Sequence, residues 1–327
     1  MAEQAGADCC SVSRQPAVYE SATPQLANAA VQGSLPAAER HQIEQCLIAA
    51  GTFVMGDHAG EGYVADGEAP QHEVYLDAFH IDATTVTNAQ FARFFADTGY
   101  VTDAERFGNS AVFHLLVEAE TQDIVGQLPG MPWWVSVRGA QWRHPGGPMS
   151  NIDHLLDHPV VHISHNDALA YCIWAGRRLP TEAEWEKAAR AGLSGTSYPW
   201  GNDPIDGSDG VYRANVWQGT FHTHNTAADG FIGTAPVRSF WPNEAGLWQM
   251  VGNVWEWCAD GFDPQYYRYS EHDNPQGAKN ASEKVLRGGS YLCHESYCNR
   301  YRNSARSHNT PDSSMGNAGF RTVKDHA

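Results

Sequence analysis

Glycine and proline, 31 and 17 of them in 327 residues, punctuate this chain so often that long helices or strands are ruled out over most of its length. Glycine supplies turns that need positive φ, and proline removes a backbone donor. A chain interrupted this way folds into short elements joined by long irregular connections. Three windows escape. Thr87 and Gln90 fit a capping box, Phe91, Phe94 and Phe95 follow at helical spacing, and Gly99 stands where a C-terminal glycine belongs. A second helix is expected from Asn166 to Gly176, with Ala168, Tyr171, Cys172 and Ala175 facing inward. A third starts at the capping box of Thr181 and Glu184, carries Trp185, Ala188 and Ala189 inward, and stops at Gly192.

Elsewhere the pattern is strand-like or irregular. Residues 46–56, CLIAAGTFVMG, have strand content ending in glycine, and Val74 to Ile81 alternate apolar and polar as one half-buried strand does. Residues 101–159, with Trp133, Trp134 and Trp142, read as mostly irregular. From Tyr198 onward short apolar pieces are separated by Gly, Asn, Asp and Pro, with no repeat. Residues 1–40, rich in Ala, Ser, Gln and Pro, read as a disordered tail, leaving 41–327 as one domain of few helices, short strands and ordered loops.

Composition narrows the function classes. With 42% hydrophobic residues and 11 Trp the chain is globular, and a net charge of −17 excludes a general binder of nucleic acid or anionic membrane. No apolar run reaches the length of a membrane span. The first residues lack the basic and apolar regions of a secretory signal, and the seven cysteines are odd in number and scattered. A reducing cytoplasm is therefore expected, with most thiols free.

Residues 287–306 read RGGSYLCHESYCNRYRNSAR. Cys293 and Cys298 stand five apart beside His294 and among Tyr291, Tyr297 and Tyr301. On a helix such a pair diverges by roughly 140°, so one metal reaches both sulfurs only where the chain is extended or turning. The pair can be two inert buried thiols, a disulfide, half a zinc site, or a soft two-sulfur site for Cu(I). His154, His158 and His162 have i, i+4 spacing, but Pro159 breaks the helix and Ser164 stands where an H-x-x-x-H-x-E set needs its acid; these read as structural histidines. Asn215, Asp229 and Glu256 are oxygen donors in Gly-rich loops, the type a hard cation takes. Trp133–Trp134 reads as core or as an apolar peptide groove.

The same segment, continued by NSARSHNTPDSSMGNAGFR, resembles the C-terminal signature of the aerobic formylglycine-generating enzymes. The resemblance runs over about residues 46 to 323 through GTFVMG (51–56), DGEAP (66–70), TGYVTDAERFG (98–108), PWW (132–134), WRHPGGP (142–148), ANVWQGTF (214–221) and GNVWEW (252–257). It implies one α+β domain of C-type-lectin-like, sulfatase-modifying-factor fold with little regular secondary structure. It implies an enzyme that uses O2 to oxidise the cysteine of a C-x-P-x-R segment in an unfolded sulfatase to Cα-formylglycine, working as a monomer. Cys293 and Cys298 match the residues that hold Cu(I) in that family, and Ser290 the active-site serine. Asn215, Val216, Asp229 and Phe231 match one calcium site, and Gln249, Gly252, Val254 and Glu256 a second. Trp133, Trp134, Asn109 and Asn317 match the substrate groove.

The chain departs from the family at several positions. Ala189, Asn303 and Thr322 replace cysteines of disulfide-bearing members, Thr85 a glutamate, Gln249 an asparagine and Asn109 an aspartate. Two other readings follow from related domains. One is a non-catalytic lectin-like binding module. The other is an iron-dependent sulfoxide synthase, whose added helical domain and H-x-x-x-H-x-E set this chain lacks.

Overall fold

The computed structural model describes residues 12–13, 33–128 and 130–326. The expected tail lies outside them apart from Val12, Ser13 and residues 33–40. Those last residues belong to the fold: the Ser34 and Leu35 N–H groups donate to Asp97 Oδ1 at 2.7 and 3.1 Å, and Arg40 Nη1 donates to the Trp174 carbonyl at 3.1 Å. Described structure thus starts ahead of residue 41, on polar contacts that leave no periodicity in the sequence.

In chain order the elements are α1 (Ala37–Arg40), β1 (Gln45–Ile48), β2 (Gly51–Met55), β3 (His72–Leu76), β4 (Phe79–Asp82), α2 (Asn88–Thr98), α3 (Asp103–Phe107), β5 (Asn109–Phe113), β6 (Ile124–Leu128) and β7 (Met131–Arg138). Then come α4 (His165–Ala175), α5 (Glu182–Arg190), β8 (Gly219–Thr220), β9 (His224–Asn225), β10 (Trp255–Gly261), β11 (Lys284–Arg287), β12 (Arg306–Asn309), β13 (Ala318–Gly319) and β14 (Val323–Asp325). The strands form small separate sheets: β1-β4-β14, β12-β11-β10-β13, β5-β7-β6, and the pairs β2-β3 and β8-β9.

The three expected helices are present, and both expected capping boxes close. The second helix carries a further box, Ser164 with Asp167, and the third ends on Ala191 in the left-handed region at φ 46°, one residue before the expected Gly192. The expected strand Val74–Ile81 is two strands. The chain turns a corner at Asp77, whose N–H donates to Asn274 Oδ1 at 2.9 Å; β3 then pairs with β2, and β4 with β1 and β14. The buried phase shifts by one across the corner, from Val74 and Leu76 to Phe79 and Ile81, and the small apolar Ala78 between them masks the break in the alternation. Residues 101–159 are more regular than expected. They hold α3, with a Thr102–Glu105 box, and a three-stranded sheet. The helix has five residues, too few to show a period.

One main apolar cluster holds the elements together, with rings of Phe91, Phe94, Tyr171 and Trp174 packed 5.2 to 6.1 Å apart. Beside it lies a buried lattice of ion pairs. Arg287 reaches Glu182 at 2.9 Å and Glu186 at 2.5 Å; Arg306 reaches Glu182 at 2.6 Å. Arg300 pairs with Asp66, Arg302 with Glu68 and Arg321 with Glu256, at 2.5, 2.8 and 2.7 Å. All of these side chains are buried. Breaking a buried pair leaves a charge without compensation, at a cost of roughly 3–5 kcal/mol. Arg287→Leu should destabilise the fold by about that amount, because Glu182 and Glu186 both lose a partner; a urea midpoint unchanged from the native chain would refute the role given to the lattice.

Burial, and then the neighbouring Glu182, push the Asp260 carboxyl on β10 up to about 8. An aspartate raised in the fold binds a proton that the unfolded chain, ordinarily at about 3.9, has released. Its stabilising contribution is therefore present at low pH and is lost as pH rises through about 8. Asp260 Oδ2 accepts the Glu182 N–H at 2.8 Å, a bond that an asparagine oxygen can keep. The urea midpoint should fall between pH 6.5 and 8, and Asp260→Asn should reduce that fall; a native midpoint that climbs with pH in this window would contradict the assignment.

Candidate functional site

The site begins where β11 ends. Arg287 is locked in the ion-pair lattice, and Gly288 and Gly289 follow at φ 94° and 73°. A Cβ on Gly289 would stand 2.6 Å from the Arg300 carbonyl, so the close approach of two backbones requires glycine there. Residues 290–299 then form consecutive turns. The Cys293 N–H donates to the Ser290 carbonyl, and the Tyr297 and Cys298 N–H groups both donate to the His294 carbonyl, each at 2.9 Å. The divergence of an i, i+5 pair on a helix does not apply to such a path.

Cys293 and Cys298 are fully buried thiols outside any disulfide. Burial first, then the neighbouring Tyr198 and the two thiols, hold the Tyr301 phenol above its usual range. The zinc alternative needs four protein ligands. Among the described residues no group of three or more His, Cys, Asp or Glu side chains is placed to hold a metal. Two buried thiols within one turning loop are the donor type that a soft, low-coordinate monovalent ion takes.

Ser290 is buried beside the pair. Its N–H lies 3.4 Å from Cys293 Sγ, and its Oγ accepts from Asn317 Nδ2 at 3.0 Å and from the Leu292 N–H at 3.3 Å. Asn317, expected in the substrate groove, is fully buried and turns its amide to the serine. It thereby aims the hydroxyl, whose own proton stays available for donation.

The two tryptophans of β7 part company, because successive strand residues face opposite ways. Trp134 is 1% exposed and packs edge-on against Phe113, which removes it from the groove. Trp133 is half-buried and belongs to an aromatic wall. Its ring lies 5.2 Å from Tyr297, 5.6 Å from Phe221 and 4.8 Å from His222, while Phe221 stacks on Tyr297 at 4.1 Å. No sequence signal singles out Phe221 or His222, because no spacing links 133, 221 and 297. Asn109 opens β5, half-buried; it donates to the Phe107 carbonyl and accepts from Ser136 Oγ.

The three histidines do not converge. His154 is exposed, His158 meets Thr234, and His162 bonds Ser110 Oγ and the Pro145 carbonyl, each at 2.8 Å. Burial pushes His162 down to about 4.

The first calcium set has converging acceptors. The Gln218 amide nitrogen donates both to the Val216 carbonyl and to Asp229 Oδ2, so those two oxygens face one point. Burial raises the Asp229 carboxyl above its usual range. Asn215 is buried, its amide nitrogen on the Gly233 carbonyl, and the Phe231 N–H donates to Asp229 Oδ1. In the second set Gln249 Oε1 is buried without a hydrogen-bond partner, an acceptor open to a cation. Glu256 is committed elsewhere: Arg321 takes both its oxygens, at 2.7 and 2.8 Å, and Trp185 Nε1 adds a third bond. A carboxylate offers about four acceptor positions, so one is left. Gly252 is required by packing, since a Cβ there would meet the Asn215 carbonyl at 2.5 Å; Val254 is buried core.

Residues 31–326 match the family model of the sulfatase-modifying factor enzyme 1-like domain. The chain is 58% identical over 305 residues to a formylglycine-generating enzyme of Streptomyces coelicolor, covering 93% of this chain and 96% of that one. It is also 44% identical over 274 residues to an inactive Cα-formylglycine-generating enzyme 2 of Mus musculus, covering 83% and 82%. Among solved structures PvdO of Pseudomonas aeruginosa aligns at TM-score 0.64 and 23% identity, covering 89% of this chain and 97% of PvdO, which establishes the shared fold.

Proposed function

Because the chain belongs to the sulfatase-modifying factor enzyme 1-like family, we propose that it converts a cysteine of a sulfatase polypeptide to Cα-formylglycine, using Cu(I) held by Cys293 and Cys298. The observation that carries this reading is the pair of fully buried thiols in one turning loop beside the Ser290 hydroxyl. The non-catalytic alternative has a relative of inactive name behind it, but it leaves that buried pair without a task.

When bound, copper supplies one-electron chemistry with O2 that no side chain provides. The protein's residues do the rest. Cys293 and Cys298, as thiolates, would hold the ion. Ser290, aimed by Asn317, would donate its proton to negative charge that develops beside it during the reaction. Trp133, Phe221 and Tyr297 exclude water and pack on the apolar part of the peptide. The target cysteine loses two hydrogens, the thioaldehyde adds water and releases hydrogen sulfide, and O2 becomes water with two further electrons from an external thiol. A C-x-P-x-R segment is the expected substrate, and the acidic chain favours its arginine. A cytoplasmic monomer fits thiols that stay reduced. Among the described residues no helix is long and apolar enough to cross a membrane.

The decisive experiment incubates a C-x-P-x-R peptide in air with Cu(I)-loaded protein and a thiol reductant, and reads its mass. Conversion of the cysteine thiol carbon to an aldehyde, disappearing on copper removal, is expected. Cys298→Ala should abolish detectable turnover, because the metal carries the hard step, and should lose Cu(I) in competition with a chromogenic chelator. Unchanged turnover in this variant would defeat the proposal.

Calcium is proposed as a structural ion at the first set. Ca²⁺ at a hundredfold excess over its Kd should stabilise the fold by about 2.7 kcal/mol. Asp229→Ala should erase the calcium-dependent rise in Tm while copper binding survives; an identical rise in both proteins would remove Asp229 from the site.

A further inference from the structure

Three stacked aromatic rings adjoin the thiol loop, and the chemistry above gives them no task. Tyr301 is the inner one. It is 7% exposed and stands three residues past Cys298. Three residues span at most about 11 Å. A Cβ on Gly289, next to Ser290, would stand 3.1 Å from the Tyr301 Cα. Tyr301 is thus rooted close to the thiol loop at both of its ends. Its ring lies 6.3 Å from that of Tyr198, with 17° between their planes, and the Tyr198 ring lies 5.1 Å from that of Trp200 at 12°. Both are near-parallel stacks at ordinary aromatic contact.

Backbone bonds fix the stack in place. The Asn303 N–H donates to the Ser197 carbonyl at 2.7 Å, which ties the turn that carries Tyr198 to the stretch of chain that carries Tyr301. Tyr198 and Gly201 exchange two backbone bonds, at 3.0 and 3.1 Å, and Trp200 Nε1 donates to the Asp203 carbonyl at 3.0 Å. Tyr198 and Trp200 are half-buried, and Trp200 lines a surface cavity together with Arg213, Trp241, Leu247 and Gln249. The rings therefore run from the surroundings of two buried thiols to an opening at the surface.

Phenol and indole lose a single electron more readily than the other side-chain rings, and a stack divides one long electron transfer into short ones. The peptide-oxidation reading leaves two electrons to be delivered from an external thiol. A target peptide seated on Trp133, Phe221 and Tyr297 excludes water, and with it a dissolved thiol, from the site at the moment those electrons are needed. A second entrance solves this, and the stack shares no ring with that wall.

We propose that Tyr301, Tyr198 and Trp200 form an electron relay joining the thiol site to a small-thiol donor at the Trp200 cavity. This rests on the peptide-oxidation reading given above. In each passage the oxidised site draws an electron from Tyr301, the vacancy moves through Tyr198 to Trp200, and the donor fills it as its S–H bond breaks. The donor's proton goes to water, and water returns one to the site. Two passages join two donor thiols as a disulfide and deliver two electrons and two protons, which is what the reduction of O2 to water still requires after the target cysteine has lost two hydrogens.

The test reads where the protein itself becomes oxidised. Cu(I)-loaded protein converts a C-x-P-x-R peptide in air until the thiol is spent, and its proteolytic fragments are then mapped by mass. A vacancy stranded on the outer ring reacts with O2, so Trp200 should gain oxygen. Trp241 reports on diffusing oxidants, because it lines the same cavity at 68% exposure and lies outside the stack; it should stay unmodified. Tyr301→Phe and Tyr198→Phe keep a ring and remove the oxidisable phenol, and each should abolish the mark on Trp200. Chelator competition and thermal melts should show both variants loaded and folded. Peptide conversion without a mark on Trp200, equal marks on Trp200 and Trp241, or a Trp200 mark undiminished in both variants overturns this inference alone. No conversion by loaded native protein overturns the peptide-oxidation reading, and this inference with it.

Discussion

Buried guanidinium groups paired with buried carboxylates are the constraint on which the remaining structure depends. Arg287, Arg306 and Arg321 have no measurable exposure, and their partners Glu182, Glu186 and Glu256 are almost as inaccessible. Each arginine also donates to backbone carbonyls of loops, as Arg287 does to Ser304 and Asn303 and Arg306 does to Asp66 and Gly67. A planar fork with five donors can satisfy a carboxylate and several loop carbonyls at once, which no apolar side chain does. A fold with so much irregular chain has many carbonyls that no ladder pairs, and burying them unpaired would be prohibitive. The arginines answer that need, and a carboxylate must accompany each to keep the interior neutral.

This lattice explains why a ten-residue stretch of turns can serve as a precise site. The thiol loop is clamped before Cys293 by Arg287 on α5 and after Cys298 by Arg300 on Asp66 and Arg302 on Glu68. Both clamps are far from solvent, so screening and side-chain motion do little to loosen them. A rigid loop presents two sulfurs and one hydroxyl in a fixed arrangement, the condition for chemistry that depends on placement. The aromatic wall of Trp133, Phe221 and Tyr297 completes one side from three separate segments. The scaffold alone does not decide activity, since a relative with 44% identity carries the name of an inactive enzyme.

Sequence signals are legible where the physics is local. Capping boxes at Thr87 and Thr181 place helix starts because both partners lie within four residues. The cysteine spacing lets one metal reach both sulfurs only on an extended or turning path, because helix geometry is fixed, and the loop is a turning one. The short helix at Asp103 and the sheet around β7 leave no such trace, since five residues carry no period and the strand breaks are corners set by remote partners such as Asn274. The expectation that Trp134 joins Trp133 in the groove fails because adjacent tryptophans look equivalent in a sequence, whereas a strand sends them to opposite faces.

Residue identities and spacings alone establish which groups the site can contain: two thiols, a serine and calcium-type oxygen donors. They also establish the family, since the segment around Cys293 and Cys298 carries the resemblance that the comparisons bear out. Which of these groups meet is a matter for the folded chain. Asn317 serves Ser290, Glu256 serves Arg321, and Val12 lies against Asn309 and Met315 from some three hundred residues away. Hydrogen-bond and ion-pair partners are chosen by distance in space and by the cost of burying a polar group alone, and neither quantity is written in the spacing of residues along the chain.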